Sequence, residues 1–159
     1  DIALVHALPP VPPQVYGDPE LITTAVRNLV ANAVNYSDAG TRVVATVRTL
    51  EEVVEIAVSD QGRGIPQEEQ GRIFERFYRV DTARSRATGG TGLGLAIVKH
   101  VCVNHGGEVS VWSEEGSGST FTIRLPLAVP EREAPAEPGE DVRPEDLMTA
   151  SPSTRKDRT

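Results

Sequence analysis

The sequence predicts an α+β fold, with a layer of helices on one face of a mostly antiparallel sheet. Three observations carry that prediction. Apolar residues recur at a spacing of about 3.6 residues after Asp18, and a second apolar helical pattern follows Leu93. Two pairs of strand-like segments, 42–49 with 53–59 and 108–113 with 119–125, are each joined by a few residues. The resulting order is helix, strand pair, loop-rich middle, helix, strand pair, which buries an apolar stripe by stacking helices on a sheet.

Pro9-Pro10-Val11-Pro12-Pro13 is an extended entry segment. In Gly17-Asp18-Pro19-Glu20, Asp18 is an N-cap, Pro19 takes the first helical position and Glu20 adds an acid to the first turn. Leu21, Ile22, Ala25, Val26, Leu29, Val30, Ala33 and Val34 then form one stripe of a helix over 19–36. Arg42–Thr49 and Val53–Ser59 are strands joined by Leu50-Glu51-Glu52, and Pro66–Arg76 is expected to be a short helix. Leu93–Asn104 is another helix, stopped near Gly106-Gly107. Glu108–Ser113 and Ser119–Leu125 make a hairpin around Glu115-Gly116-Ser117-Gly118. From Val129 onward prolines punctuate a run of Glu, Asp, Ala, Ser and Arg. The expectation is a folded domain over 1–128 and a disordered acidic, Pro-rich tail over 129–159.

A chain of 159 residues is long enough to bury a core and suggests one domain. No apolar run reaches the roughly 20 residues of a membrane span. Asp1-Ile2-Ala3-Leu4-Val5 has neither a basic start nor an initiator Met, so the chain reads as part of something longer. Cys102, the single cysteine, excludes an internal disulfide and reads as a small buried hydrophobe. A formal net charge of −7 argues against bulk binding of nucleic acid or anionic membrane. Arg72, Arg76, Arg79, Arg84 and Arg86 nevertheless cluster, which suits a small anionic ligand or an acidic partner; a solvated Arg-rich segment is the plain alternative.

Three short patterns carry chemistry. Asn28, Asn32 and Asn35 share a face of the first helix. Asn is a poor helix former, and a merely solvated stripe would more often carry Glu, Lys or Arg. Aligned amides suggest a polar cleft wall whose oxygens can ligate a hard cation such as Mg²⁺; buried or capping amides are the alternative. Asp60 closes a strand ahead of Gly62 and Gly64, where a carboxylate can accept from an exocyclic amine and glycines allow close approach; an ordinary Asp-x-Gly turn reads the same way. Gly89-Gly90-Thr91-Gly92-Leu93-Gly94 precedes a helix, whose N-terminal N–H groups attract phosphate. It is not the GxxxxGK[ST] loop, because no Lys-Ser or Lys-Thr follows.

Taken in order, N-L-V-A-N-A-V-N-Y-S (28–37), D-Q-G-R-G-I (60–65), I-F-E-R-F-Y-R (73–79), G-T-G-L-G-L-A-I-V (90–98) and G-S-G-S-T-F (116–121) resemble the N, G1, F and G2 boxes and final Gly-rich turn of the catalytic ATP-binding domain of bacterial sensor histidine kinases. The resemblance covers about 15–127. It implies the Bergerat ATP-binding fold of gyrase, the 90-kDa heat-shock protein, histidine kinases and MutL: a two-layer α/β sandwich with a mixed sheet backed by about three helices. It further implies that Asn32 ligates Mg²⁺, that Asn28 sits beside the phosphates, and that Asp60 pairs with the adenine amine. Gly62 and Gly64 let base and sugar approach, and Gly92, Leu93 and Gly94 present N–H groups to phosphate. Thr120 lies near the base, reading it with Asp60 through water. Asn35, Tyr36, Ile65, Tyr78, Gly90, Thr91 and Leu95 complete the site. A lid over about 67–91 is packed by Phe74, Phe77 and Tyr78, and Arg79 reaches the γ-phosphate, giving Arg79 and Asn28 catalytic roles.

The implied activity is transfer of the γ-phosphoryl group of Mg-ATP to a histidine. The partners are a phosphoacceptor and dimerisation domain and a response regulator. The implied setting is a cytoplasmic, monomeric fragment of a kinase of the usual membrane-anchored kind, without membrane contact of its own. Two departures matter. Asn35 stands where many members carry Lys, so a charge contact to phosphate is replaced by a hydrogen bond. His6, His100 and His105 lack the acceptor motif, so no phosphorylation in cis is expected. Hydrolases of the fold place a Glu four residues before the metal-binding Asn; here Asn28 stands there, and an amide is no general base. A non-catalytic nucleotide-binding docking or regulatory module is the alternative.

Overall fold

The structure, a computed structural model, describes residues 1–80 and 91–128. Gly90, Arg84, Arg86 and the expected tail lie outside the described residues. The elements are β1 (Ala3–Ala7), α1 (Pro19–Tyr36), β2 (Arg42–Leu50), β3 (Val53–Asp60), α2 (Gly94–Asn104), β4 (Glu108–Glu114) and β5 (Gly118–Pro126). The sheet order is β1-β2-β3-β5-β4. Only β1 and β2 run parallel, so the sheet is mixed and mostly antiparallel, as predicted.

Asp18 caps α1 as the sequence requires: its carboxylate accepts from the N–H groups of Glu20 at 2.8 Å and Leu21 at 3.1 Å. The apolar stripe of α1 (Ala25, Leu29, Ala33) meets Val98, Val101 and Cys102 of α2 over Val43, Val58, Phe121 and Ile123 of the sheet. Helices and sheet thus form two layers around one core. Burial pushes the Cys102 thiol up to about 11, which suits a packed hydrophobe rather than a nucleophile. His105 ties the helices end to end: its Nε2 accepts from the Asp18 N–H at 3.0 Å, and its Nδ1 lies 2.7 Å from the Val101 carbonyl.

Three local expectations change. Segment 66–76 is a succession of turns, with Glu69 N–H donating to Pro66 O and Glu75 N–H to Arg72 O, so the third helix is replaced by turns. β1 is an additional strand that the sequence pattern does not predict; all five of its residues are exposed and it is held along one edge by β2. Phe77, expected to pack, is 71% exposed.

The sheet face away from the helices carries one buried charge. Glu55 is 3% exposed and sits in register between Arg48 and Arg124, with Glu108 beyond. Arg48 Nε donates to Glu55 Oε1 at 2.7 Å, Arg124 Nε to Oε2 at 3.0 Å, and Arg124 Nη1 to Glu108 at 3.2 Å. Burial opposes the charge, but the bonds from both arginines outweigh it and hold the Glu55 carboxyl below its usual range. A depressed carboxyl stabilises fully above its unfolded pKa, about 4.3, and loses that contribution as pH falls through the folded value. Glu55→Gln is therefore expected to cost about 1–2 kcal/mol at neutral pH. The gap in melting temperature should close on acidification; a gap that persists below the carboxylate range would show that the charge contributes nothing.

Candidate nucleotide site

Between α1, the N-terminus of α2 and the loop after β3 lies a cleft of about 370 Å³, within the size range of small-ligand sites. α1 supplies one wall, with Asn28, Asn32, Asn35 and Tyr36. Asn28 Nδ2 donates to Thr24 O at 2.9 Å, which orients the amide and leaves Oδ1 against α2: a Cβ on Gly94 would lie 3.1 Å from it. The side chains of Asn32 and Asn35 have no hydrogen-bond partner among the described residues. They are neither caps nor buried pairs, so their amides are available to a ligand.

The opposite end is built by α2. Leu93 occupies its N-cap without a side-chain cap, and the Thr91 hydroxyl only approaches the Leu93 N–H, at 3.4 Å. The first-turn N–H groups therefore lack side-chain partners, beside a cleft lined by Thr91, Gly92, Gly94 and Leu95. Such an end favours an anion through both its donors and its dipole. Gly92 has φ +70°, and a Cβ there would come within 2.9 Å of the Phe77 backbone. The Phe77 N–H donates to Gly92 O at 2.9 Å. This close approach holds the backbone of the aromatic segment at the cleft while the Phe77 side chain points to solvent. Its neighbours do pack: Phe74 meets Phe121 edge-on at 6.3 Å, and the Arg72 guanidinium lies 4.2 Å from the Tyr78 ring centre. Tyr78 and Arg79 line the cleft.

Asp60 ends β3 inside the cleft. Its Oδ1 accepts from the N–H groups of Gly62 at 2.9 Å and Ser119 at 3.3 Å, while Oδ2 has no partner among the described residues. Burial raises the Asp60 carboxyl above its ordinary range, and those two N–H bonds oppose the rise. Desolvation also makes an unpaired acceptor costly, which favours a ligand donor at Oδ2. The following loop is clamped to the β4–β5 turn. Gly116 N–H donates to Arg63 O at 2.7 Å, and Gly64, at φ +73°, lies so close to the Glu114 carbonyl that a Cβ would stand 2.0 Å from it.

Most of the predicted residues thus converge. Gly62 and Leu93 act through their backbone rather than lining the wall. Thr120 is a correction: its hydroxyl bonds Ser59 at 2.9 Å on the open sheet face, and Ser119, 5% exposed, is the residue that faces the cleft beside Asp60. Counting back by two from the buried Ile123 and Phe121 would have selected Ser119. Arg63, whose guanidinium lies 5.4 Å from the Tyr36 ring centre, and the apolar Ile73 and Phe121 also line the cleft, beyond the residues that the sequence motifs single out.

The profile of the family described as histidine kinase-, DNA gyrase B-, and HSP90-like ATPase matches residues 17–129. A sensor-like histidine kinase SenX3 of Mycolicibacterium smegmatis is 54% identical over 130 residues, covering 82% of this chain and 34% of that protein. SenX3 of Mycobacterium tuberculosis is 56% identical over 116 residues, covering 73% and 28%. The chain therefore spans about a third of the length of these relatives. Among solved structures, the mycobacterial sensor histidine kinase MprB matches with a TM-score of 0.69 at 35% identity, over 79% of this chain and 82% of that one. Full-length ShkA in complex with AMPPNP matches with 0.69 at 32%, over 80% and 26%. With its fold, its ordered boxes and these relatives in agreement, the chain belongs to the family of histidine kinase-, DNA gyrase B- and HSP90-like ATPases, and within it is similar to sensor histidine kinases.

Proposed function

We propose that the chain binds Mg-ATP in this cleft and donates the γ-phosphoryl group to a histidine on a phosphoacceptor domain outside the chain, for onward transfer to a response regulator in the cytoplasm. The observation that carries the reading is the pairing of an acceptor without a partner, Asp60 Oδ2, with a helix N-terminus that has no side-chain cap, across one cleft. A purine amine and a polyphosphate match those two ends. The similar full-length ShkA is in complex with AMPPNP, which supports the same ligand class.

The donor set suits magnesium. Asn28 Oδ1 is turned from its own helix, and the Asn32 amide has no partner among the described residues. Amide oxygens are hard ligands for an ion that keeps most of its waters and takes phosphate oxygens. The ion supplies charge neutralisation when bound. The α2 N–H groups orient the phosphates, Arg79 offsets charge on the transferring group, and Asn28, lacking a basic form, leaves activation of the nucleophile to the acceptor domain.

Calorimetric titration with ATP, with and without Mg²⁺ and beside GTP, tests the binding. Magnesium-strengthened, ATP-selective binding is expected. Adding a separate acceptor-helix domain should then give phosphohistidine, labile in acid and stable in alkali. Binding without transfer would favour a non-catalytic docking or regulatory module, and no binding by the folded chain would remove the nucleotide reading.

A further inference from the structure

Ser113 of β4 stands behind the cleft wall and is not part of it. Its Oγ accepts from the Ile65 N–H at 2.8 Å and donates to the Gly118 carbonyl at 3.0 Å. The Ser119 hydroxyl lies 2.9 Å away. Gln70 braces the same point, its Nε2 donating to the carbonyls of Ile65 at 2.9 Å and Ser113 at 3.0 Å.

A serine hydroxyl has one proton and two lone pairs. The Gly118 carbonyl can only accept, so it takes the Ser113 proton. The Ser113 lone pairs are then left for the Ile65 N–H and the Ser119 O–H. Ser119 must spend its proton on Ser113, and what its oxygen presents to the cleft is lone pairs alone. Asp60, paired in register with Ser119, presents Oδ2, also an acceptor. This end of the cleft holds two acceptors and no side-chain donor between them.

We propose that Ser113 is a positioning residue that sets base selectivity: by fixing the direction of the Ser119 proton it keeps Ser119 an acceptor beside Asp60, which favours a purine edge carrying an amine over one without it. The inference rests on the nucleotide reading above. Without the Ser113 hydroxyl, the Ser119 proton is free to turn into the cleft, where it meets the amine donor to donor.

The test is the ratio of affinities for ATP and purine riboside triphosphate, which lacks the 6-amine and keeps the same bare N1, measured by calorimetry on the whole chain. Wild type should prefer ATP. Ser113→Ala should lower that ratio by roughly fivefold to tenfold, and Ser113→Thr, which restores a hydroxyl, should recover it. Loss of bracing alone would weaken both ligands together and leave the ratio alone, so an unchanged ratio in a folded Ser113→Ala chain overturns the proposal. In a Ser119→Ala background the Ser113 change should have no effect on the ratio; an effect there means that Ser113 does not act through Ser119. If Ser113→Ala does not fold, Ser119→Ala carries the test, and an unchanged ratio in it is equally fatal. A wild-type chain that binds neither nucleotide removes the nucleotide reading itself, a result distinct from binding with an unaltered ratio.

Discussion

Asp60→Ala is expected to reduce ATP affinity by about 100-fold, or about 2.8 kcal/mol, the size of a lost hydrogen bond to a charged group. Two effects combine. The ligand amine loses its acceptor at Oδ2. The N–H groups of Gly62 and Ser119, which Oδ1 holds at 2.9 and 3.3 Å, lose theirs as well. The first effect belongs to recognition and the second to the shape of the loop. Asp60→Asn separates them. Its amide oxygen can still accept from both N–H groups, while the position of Oδ2 becomes an NH₂ that faces an amine donor to donor. The Asn variant should therefore melt close to wild type and still fail to bind ATP. If it bound ATP normally, the base would not be read at this carboxylate.

Acidity gives the same residue a second signature. Burial raises the Asp60 carboxyl, so on acidification it takes up a proton at a higher pH than an exposed aspartate does. In the folded state without ligand a raised carboxyl works against stability as pH rises from the unfolded to the folded value. Desolvation here costs stability, and the partner-seeking oxygen that burial leaves without a donor is what recognition needs. This is the reverse of Glu55, where two arginines offset the burial and the charge supports the sheet.

How far the sequence revealed this arrangement depended on whether a residue's role is local. Asp18-Pro19 and the apolar stripe marked both ends of α1 because capping and periodicity act within one element. The strand pairs were legible for the same reason, to within a residue at their ends. β1 was not, since Ala-Leu-Val-His-Ala has no buried face and exists only through its parallel edge with β2. Segment 66–76 has the composition of a short helix, yet most of its N–H groups close turns to the third residue back, and the Gln70 side chain is drawn away to Ile65 and Ser113. Phe77 read as a packing aromatic, but contact of its backbone with Gly92 sets its φ at 64° and turns the ring outward. The cleft was legible in its polar lining because amides on a helix face and a carboxylate at a strand end stand out. Ser119 was hidden because Gly-Ser-Gly-Ser-Thr holds no apolar residue to set the parity, which only Phe121 and Ile123 supply.

Asn32→Ala is the change expected to separate chemistry from folding most cleanly. Asn32 is half-buried on α1 and its side chain makes no hydrogen bond among the described residues, so its removal orphans no partner. Alanine is the better helix former by about half a kcal/mol, so the variant should melt at or slightly above wild type. The amide oxygen, however, is one of the few hard ligands the wall offers to a divalent ion, and it stands one turn from Asn28 on the same face. Without it, Mg²⁺ should no longer strengthen ATP binding, and the affinity should settle near the wild-type value measured without magnesium. Transfer to an acceptor domain should fall by about 1,000-fold, because an ion held here would supply several kcal/mol of charge neutralisation to such a transition state. Magnesium-free binding should be almost unchanged, since Asp60 and the α2 N-terminus remain in place. A variant that kept the full magnesium effect would assign the ion to other residues and reduce Asn32 to a bystander on the helix. One that lost magnesium-free binding as well would place the amide on the nucleotide itself rather than on the ion.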